Sequence, residues 1–239
     1  MKTKKRYLDT QLIEPFLPML KEMGKAFASS LKIYFDENEI KEILDLARTH
    51  FENAKTLLPN VGQQSPWLKN MIGICYEIGL WKELYKRDLL LKDISVLTQH
   101  TLWSIALKQN TPAIMEKVGT MLCSQDFVEK IASHSHLEEY PDDWLFDCIL
   151  PEPTDEFQIG INIHKCPIGS LCERLKADAF FPYLCLNYYV IHGMLGIDLK
   201  RTQTLAHGAD FCDFRLSYTG KLVPRIITEP EVIVEFRNR

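Results

Sequence analysis

Apolar residues recur at steps of three and four through the first half of the chain, and alternate or cluster in short runs through much of the second. Ile40, Ile43, Leu44, Ala47, Phe51, Ala54 and Leu58 fall on one stripe of a helix. In front of them Asp36-Glu37-Asn38-Glu39 has the form of a capping box, with Asp36 placed to accept from the amide at the third helical position. Pro59, Asn60 and Gly62 end this helix. Ser65-Pro66 starts a second, whose stripe is Trp67, Met71, Cys75 and Ile78 and whose expected stop is Gly79. A third helical segment is predicted over residues 82–108, and Thr111-Pro112 opens another that carries Ile114, Met115, Val118 and Leu122.

The pattern changes near residue 134. Between residues 131 and 164 there is no lysine or arginine, while eight acidic residues fall in the same segment and read as a solvated loop face. Residues 144–150 and 157–163 have the apolar content of strands. Residues 183–195 read as a buried helix, broken at Gly193. Residues 201–206 and 211–218 read as two strands around the turn 207–210, and residues 226–236 as one more. Helices first and strands later predict an α+β architecture. An amino-terminal helical region, 1–130, precedes an α+β region, 131–239, with a mainly antiparallel sheet and a buried helix, the two forming one compact unit.

Composition narrows the function classes. The 239 residues are 46% hydrophobic and 25% charged, with a net charge of −4, so there is no basic footprint for nucleic acid. No stretch approaches the roughly 18 uncharged apolar residues of a membrane span. Lys2, Lys4, Lys5 and Arg6 imitate the basic start of a secretory signal, but Asp9, Gln11 and Glu14 interrupt the segment behind them. The expectation is a cytoplasmic protein whose partner is a small molecule, without nucleic acid or membrane, and open to oligomer formation. Seven cysteines in a reducing compartment read as buried thiols, metal ligands or a catalytic thiol rather than as a disulfide frame.

Reactive side chains concentrate in the last third: His164, Cys166, Cys172, Cys185, His192, His207, Cys212 and Asp213. Thiolate and imidazole are the usual ligands of zinc. The spacings match no finger or ribbon, so a metal site would be assembled from separate elements, for example Cys172, Cys185 and Cys212. A catalytic thiol is the other chemistry open to this cluster. His207 precedes Cys212 by five residues across the turn, where an imidazole lowers a thiol pKa. Asp213 points to the opposite face of the same strand. His134 and His136 read as residues of an exposed loop. Lys200, Arg201 and Arg215 are candidates to clamp a carboxylate. No GxGxxG, Walker loop, HExxH or GxSxG motif occurs.

From Cys166-Pro167-Ile168, through Cys185 and the run Asp198 to Ala206, to Gly208 and Cys212-Asp213-Phe214-Arg215, the sequence resembles the L-2-amino-thiazoline-4-carboxylic acid hydrolase family. The helical segment with Tyr76-Glu77-Ile78-Gly79-Leu80 is also similar to it. The closing Gly208-x-x-x-Cys212-x-Phe214 looks like the end of vinyl-4-reductase-type small-molecule-binding domains. The resemblance implies a hydrolase that opens a small cyclic thiazoline or amidine-like ring, with a non-catalytic binding or sensing module as the alternative. The assignments it implies are Cys212 and His207 as catalytic residues and Arg201, Arg215 and Tyr188 at the substrate. Cys172 and Cys185 are then the candidate ligands of a zinc or manganese ion. In the family pattern an acidic residue stands three places after the Cys185 position, where this chain has Tyr188.

Overall fold

The computed structural model describes residues 5–223 and 225–228. After a short 3-10 turn the chain forms α1 (Leu17–Leu31), α2 (Glu37–Ala54), α3 (Leu68–Tyr85), α4 (Leu91–Gln109), α5 (Pro112–Leu122) and α6 (Gln125–Ser135). Then follow β1 (Leu145–Ile149), β2 (Ile159–Lys165), α7 (Pro167–Arg174), α8 (Phe181–Leu184), α9 (Asn187–Met194), β3 (Ile197–Lys200) and β4 (Cys212–Tyr218). This is the α+β arrangement expected. The four strands form one antiparallel sheet in the order β1-β2-β4-β3.

The start of α2 follows from its sequence. Asp36 Oδ1 accepts from the amides of Asn38 and Glu39 at 2.8 and 2.9 Å, and Glu39 Oε2 accepts from the Asp36 amide at 2.9 Å. Reciprocal capping satisfies donors that the first turn would otherwise leave open. Asp36→Ala is expected to destabilise the protein by about 1 kcal/mol, measurable as a lower urea midpoint with an unchanged slope.

Gly79 does not stop its helix; α3 runs through it to Tyr85. The reason is packing. A Cβ at Gly79 would lie 2.9 Å from the Ala47 carbonyl oxygen and 2.9 Å from His50 Cβ, so the missing side chain lets α3 press directly on α2. The break falls instead at residues 86–90, where Asp88 takes a left-handed φ of 63°. Buried on nearly every face, α3 is the central helix, and its Trp81 is fully buried with Nε1 donating to Thr98 Oγ1 at 2.9 Å.

Three further expectations are corrected. His134 and His136 sit at the carboxyl-terminal end of α6, not in a loop, and two residues apart on a helix they do not share a face. Gly193 lies within α9, close against the chain, for a Cβ there would meet the Val223 carbonyl oxygen at 2.3 Å. Residues 201–206 do not form a strand. The sheet takes 197–200 as β3, and the chain then loops away into a 3-10 turn at Leu205–His207. Of the strand expected over 226–236, residues 226–228 are irregular and 229–236 lie outside the described residues, as do Lys2 and Lys4.

One face of the sheet is apolar and the other polar, as period-two alternation requires. Phe146, Ile161, Ile163, Cys212, Phe214 and Leu216 face inward toward α6 and α9, whereas Asp147, Asn162, Asp213 and Arg215 face outward in register. The free edge at β1 is bound to α6: Ser135 Oγ accepts from the Phe146 amide at 3.2 Å. Ile168, Leu171 and Phe180 join the core cluster built by α1 to α4, so residues from both sides of position 130 pack together. Among the described residues no helix is long and apolar enough to cross a membrane.

Candidate functional site

The inward row of β4 sets the site. Ladder pairing places Cys212 opposite Ile163 and Phe214 opposite Ile161. Across from them α9 brings Tyr188 and His192 to one face, as residues four apart on a helix must be. The Tyr188 ring meets Phe214 edge-on, centroids 5.4 Å apart at 89°, and the His192 ring lies 6.1 Å from each. These side chains, with Trp144, Phe146 and Ile163, enclose an apolar cavity of about 90 Å³. Trp67, Ile131, Trp144 and Phe146 are shared with an outer cleft of about 800 Å³ that also contains His134, Tyr140 and Asp143. Trp67 and Trp144, rings 6.2 Å apart, stand at the junction of the two. Burial pushes the Asp143 carboxyl up to about 6 against its bond from the Trp144 amide.

His192 is 8% exposed. Burial lowers its pKa to about 4, with the Arg201 charge acting the same way, so the ring is neutral at neutral pH. Its Nδ1 lies 2.7 Å from the Tyr188 carbonyl. A carbonyl only accepts, so Nδ1 carries the hydrogen and Nε2 keeps a free lone pair.

Arg201 follows β3 on a loop held from the far side of the sheet. The Asp213 carboxylate accepts from the amides of Thr202 and Gln203 at 2.8 Å each and from the Thr202 hydroxyl at 2.7 Å. This fixes the loop, and the Arg201 guanidinium lies over the rings of Tyr189 and Phe214, 4.7 and 5.6 Å from their centroids. Its Nε is buried without a partner, and among the described residues no carboxylate pairs with it. His207 is in the same condition. Nδ1 sits 2.7 Å from Thr204 Oγ1, while Nε2 is buried and unpartnered. Burial, and after it Arg201, lowers the His207 pKa.

Two thiols, Cys185 and Cys212, neighbour this cation, and a third, Cys166, neighbours them. Burial pushes Cys185 well above its ordinary value and Cys166 to about 12, and it raises Cys212 despite the Leu205 amide, which donates to Cys212 Sγ at 3.2 Å. Arg201 opposes the rise at Cys185, at Cys212 and at the Tyr188 hydroxyl, and is thus the shared electrostatic neighbour of the group. A thiol displaced from about 9 to about 12 holds about a thousandth of the usual thiolate at neutral pH. Iodoacetamide at pH 7 is therefore expected to label the native thiols of this cluster far more slowly than the same thiols in denaturant, as peptide mass spectrometry will read.

Among the residues singled out from the sequence, Arg201, Tyr188, Cys185 and Cys212 come together. His207 flanks the same loop, but no hydrogen bond joins it to Cys212. Arg215 lies on the outer face of β4, donating to Asn162 Oδ1 at 3.0 Å with its guanidinium 5.3 Å from the Phe157 centroid, and shares no wall with Cys212. Cys172 is fully buried on α7 in the helical core, with a thiol pushed up to about 12. Among the described residues no three His, Cys, Asp or Glu side chains are placed to hold a metal ion. Sequence reasoning gave no role to His192 or to the two tryptophans. The spacing of Tyr188 and His192 was the available signal.

Residues 98–216 match the family model described as L-2-amino-thiazoline-4-carboxylic acid hydrolase, a span that contains Cys166, Cys185, Tyr188, His192, Arg201, His207 and Cys212. No curated protein and no solved structure matches the chain.

Proposed function

Because the chain belongs to the L-2-amino-thiazoline-4-carboxylic acid hydrolase family, we propose that it hydrolyses a small cyclic thiazoline or amidine-like carboxylate, such as L-2-amino-thiazoline-4-carboxylate to N-carbamoyl-L-cysteine. The observation that carries this reading is Arg201: a guanidinium with a buried, unpartnered Nε and no acidic partner among the described residues, set among reactive side chains. Such a cation is complementary to a substrate carboxylate.

In this reaction water adds to the ring carbon between sulfur and nitrogen, and the carbon–sulfur bond breaks. His192 Nε2, unprotonated at neutral pH, takes the proton from the attacking water. The imidazolium then returns that proton to the departing sulfur, while the second hydrogen of the water passes from the tetrahedral hydroxyl to the amidine nitrogen as the carbonyl forms, so the histidine ends as it began. Arg201 holds the carboxylate, and the unpartnered His207 Nε2 offers it a further contact. Cys212 as nucleophile is the other version of the same hydrolysis. It would require a base to remove a proton that burial holds in place.

Purified protein incubated with L-2-amino-thiazoline-4-carboxylate, with and without added zinc or manganese, is expected to form N-carbamoyl-L-cysteine by mass spectrometry. His192→Ala is expected to lower turnover by about 10²–10⁴-fold, while Cys212→Ser retains it. Loss of turnover in a folded Cys212→Ser variant selects the thiol version, and dependence on metal selects a metal-held water. No product under any condition overturns the hydrolase reading in favour of a binding or sensing module. The aromatic, apolar cavity and the protonated thiols favour that second reading.

A further inference from the structure

Behind Tyr188, on the helical side, lies a second cavity of about 150 Å³ that shares Asn70, Tyr188 and Ile191 with the first. Its walls are apolar, with Met23, Ile74, Leu102 and Ile105 among them, and it reaches the exposed Lys69 and Gln109. Two buried polar side chains interrupt that lining, Glu77 from the middle of α3 and Asn187 from the first turn of α9, 3% and 5% exposed respectively. Asn187 Nδ2 donates to Glu77 Oε2 at 3.2 Å. Asn187 Oδ1 is buried with no partner, and Glu77 Oε1 makes no hydrogen bond among the described residues.

Leaving a buried polar atom unpaired costs about 1–3 kcal/mol, so this pair is expensive unless something else completes it. Burial raises the Glu77 carboxyl to about 8, against the bond from Asn187, and the group keeps its proton at neutral pH. The pair therefore presents an O–H donor beside a carbonyl acceptor. An ammonium group would need Glu77 to ionise in an apolar cavity whose other charged wall residue is Lys69. A carboxylate would meet the Asn187 carbonyl oxygen. A carbamoyl group carries an acceptor and an N–H donor side by side and meets both needs without a charge.

We propose that this cavity binds a small apolar molecule ending in a primary amide or urea group, its carbonyl accepting from Glu77 and its N–H donating to Asn187 Oδ1. The site is separate from Arg201 and does not rest on the hydrolase reading.

Titration calorimetry of the full chain with n-butylurea, n-butylammonium and butyrate tests it. Butylurea is expected to bind most tightly. Asn187→Leu, which removes the unpaired acceptor together with the donor to Glu77 Oε2, is expected to weaken butylurea at least about tenfold, with circular dichroism confirming that the variant is folded. Glu77→Gln still offers an N–H at the same place and is expected to retain binding. Preference for butylammonium, abolished in Glu77→Gln, would make this a cation site and overturn the proposal. Butylurea affinity unchanged in Asn187→Leu, or no binding by wild type, would overturn it as well.

Discussion

Arg201→Met is expected to lower kcat/KM for a carboxylate substrate by about 10–10²-fold while leaving the melting temperature unchanged or raising it. The two halves of this prediction come from one fact. In most proteins a buried arginine is matched by a carboxylate, and removing it strands the partner. Arg174 is such a case here: it donates to the Asp142 carboxylate, which also takes Arg6. Arg201 has no acidic partner to strand, and its Nε is already unsatisfied. Methionine keeps much of the contact with Tyr189 and Phe214 and removes a desolvated charge. The lost stacking, about 0.5–2 kcal/mol, is offset by relief of the buried donor, about 1–3 kcal/mol. Binding has no such compensation. A charge-assisted hydrogen bond contributes about 1.5–3 kcal/mol, and each 1.4 kcal/mol is tenfold. Steady-state kinetics and thermal melts on the same preparation check both halves. A variant that loses stability but keeps its kcat/KM would make Arg201 a structural residue.

How far this site was legible before the structure depended on whether its signal was periodic or single. The capping box at Asp36 is a local code, and α2 begins where it says. Glycine is more ambiguous, because the same absence of a Cβ serves a helix stop or a close helix crossing. Only the position of Ala47 decides between them at Gly79. Residues 201–206 read as a strand leading to the turn 207–210, but that reading does not record that the Asp213 carboxylate takes up the amides of Thr202 and Gln203. Those amides are lost to the ladder, and the sheet ends at Lys200. The concentration of cysteines and Arg201 was visible because the family motif spans it. Glu77 was not, since α3 is buried nearly all round and has no polar face from which a lone carboxyl could stand out. His192 is likewise a single residue whose neutral state comes from burial, and no composition or spacing reports burial.

Asp213→Ala is expected to be the most damaging change on the outer face of the sheet, destabilising the protein by about 3–5 kcal/mol and reducing activity at least as much as Arg201→Met. Asp213 is 9% exposed, and its carboxylate satisfies two amides and one hydroxyl of the loop that leads out of β3. Alanine leaves the two amides short of an acceptor, at about 1–3 kcal/mol each when buried. Few single sites exceed that range without a named cause of this kind. The effect on activity follows because the same loop carries Arg201 before it and His207 after it, so freeing the loop misplaces the cation. Asp213→Asn separates the two contributions. It keeps the volume and the Oδ1 that accepts both amides, but puts an amino group where Oδ2 accepted from the Thr202 hydroxyl, which must turn to accept instead. Its stability loss is expected to be well under half that of alanine, with a raised KM and a smaller change in kcat, because both amides keep their acceptor and the reacting groups on α9 and on the inner face of β4 stay where they are. Equal losses in kcat and KM for both variants would instead mean that Asp213 supports the whole sheet and not the Arg201 loop.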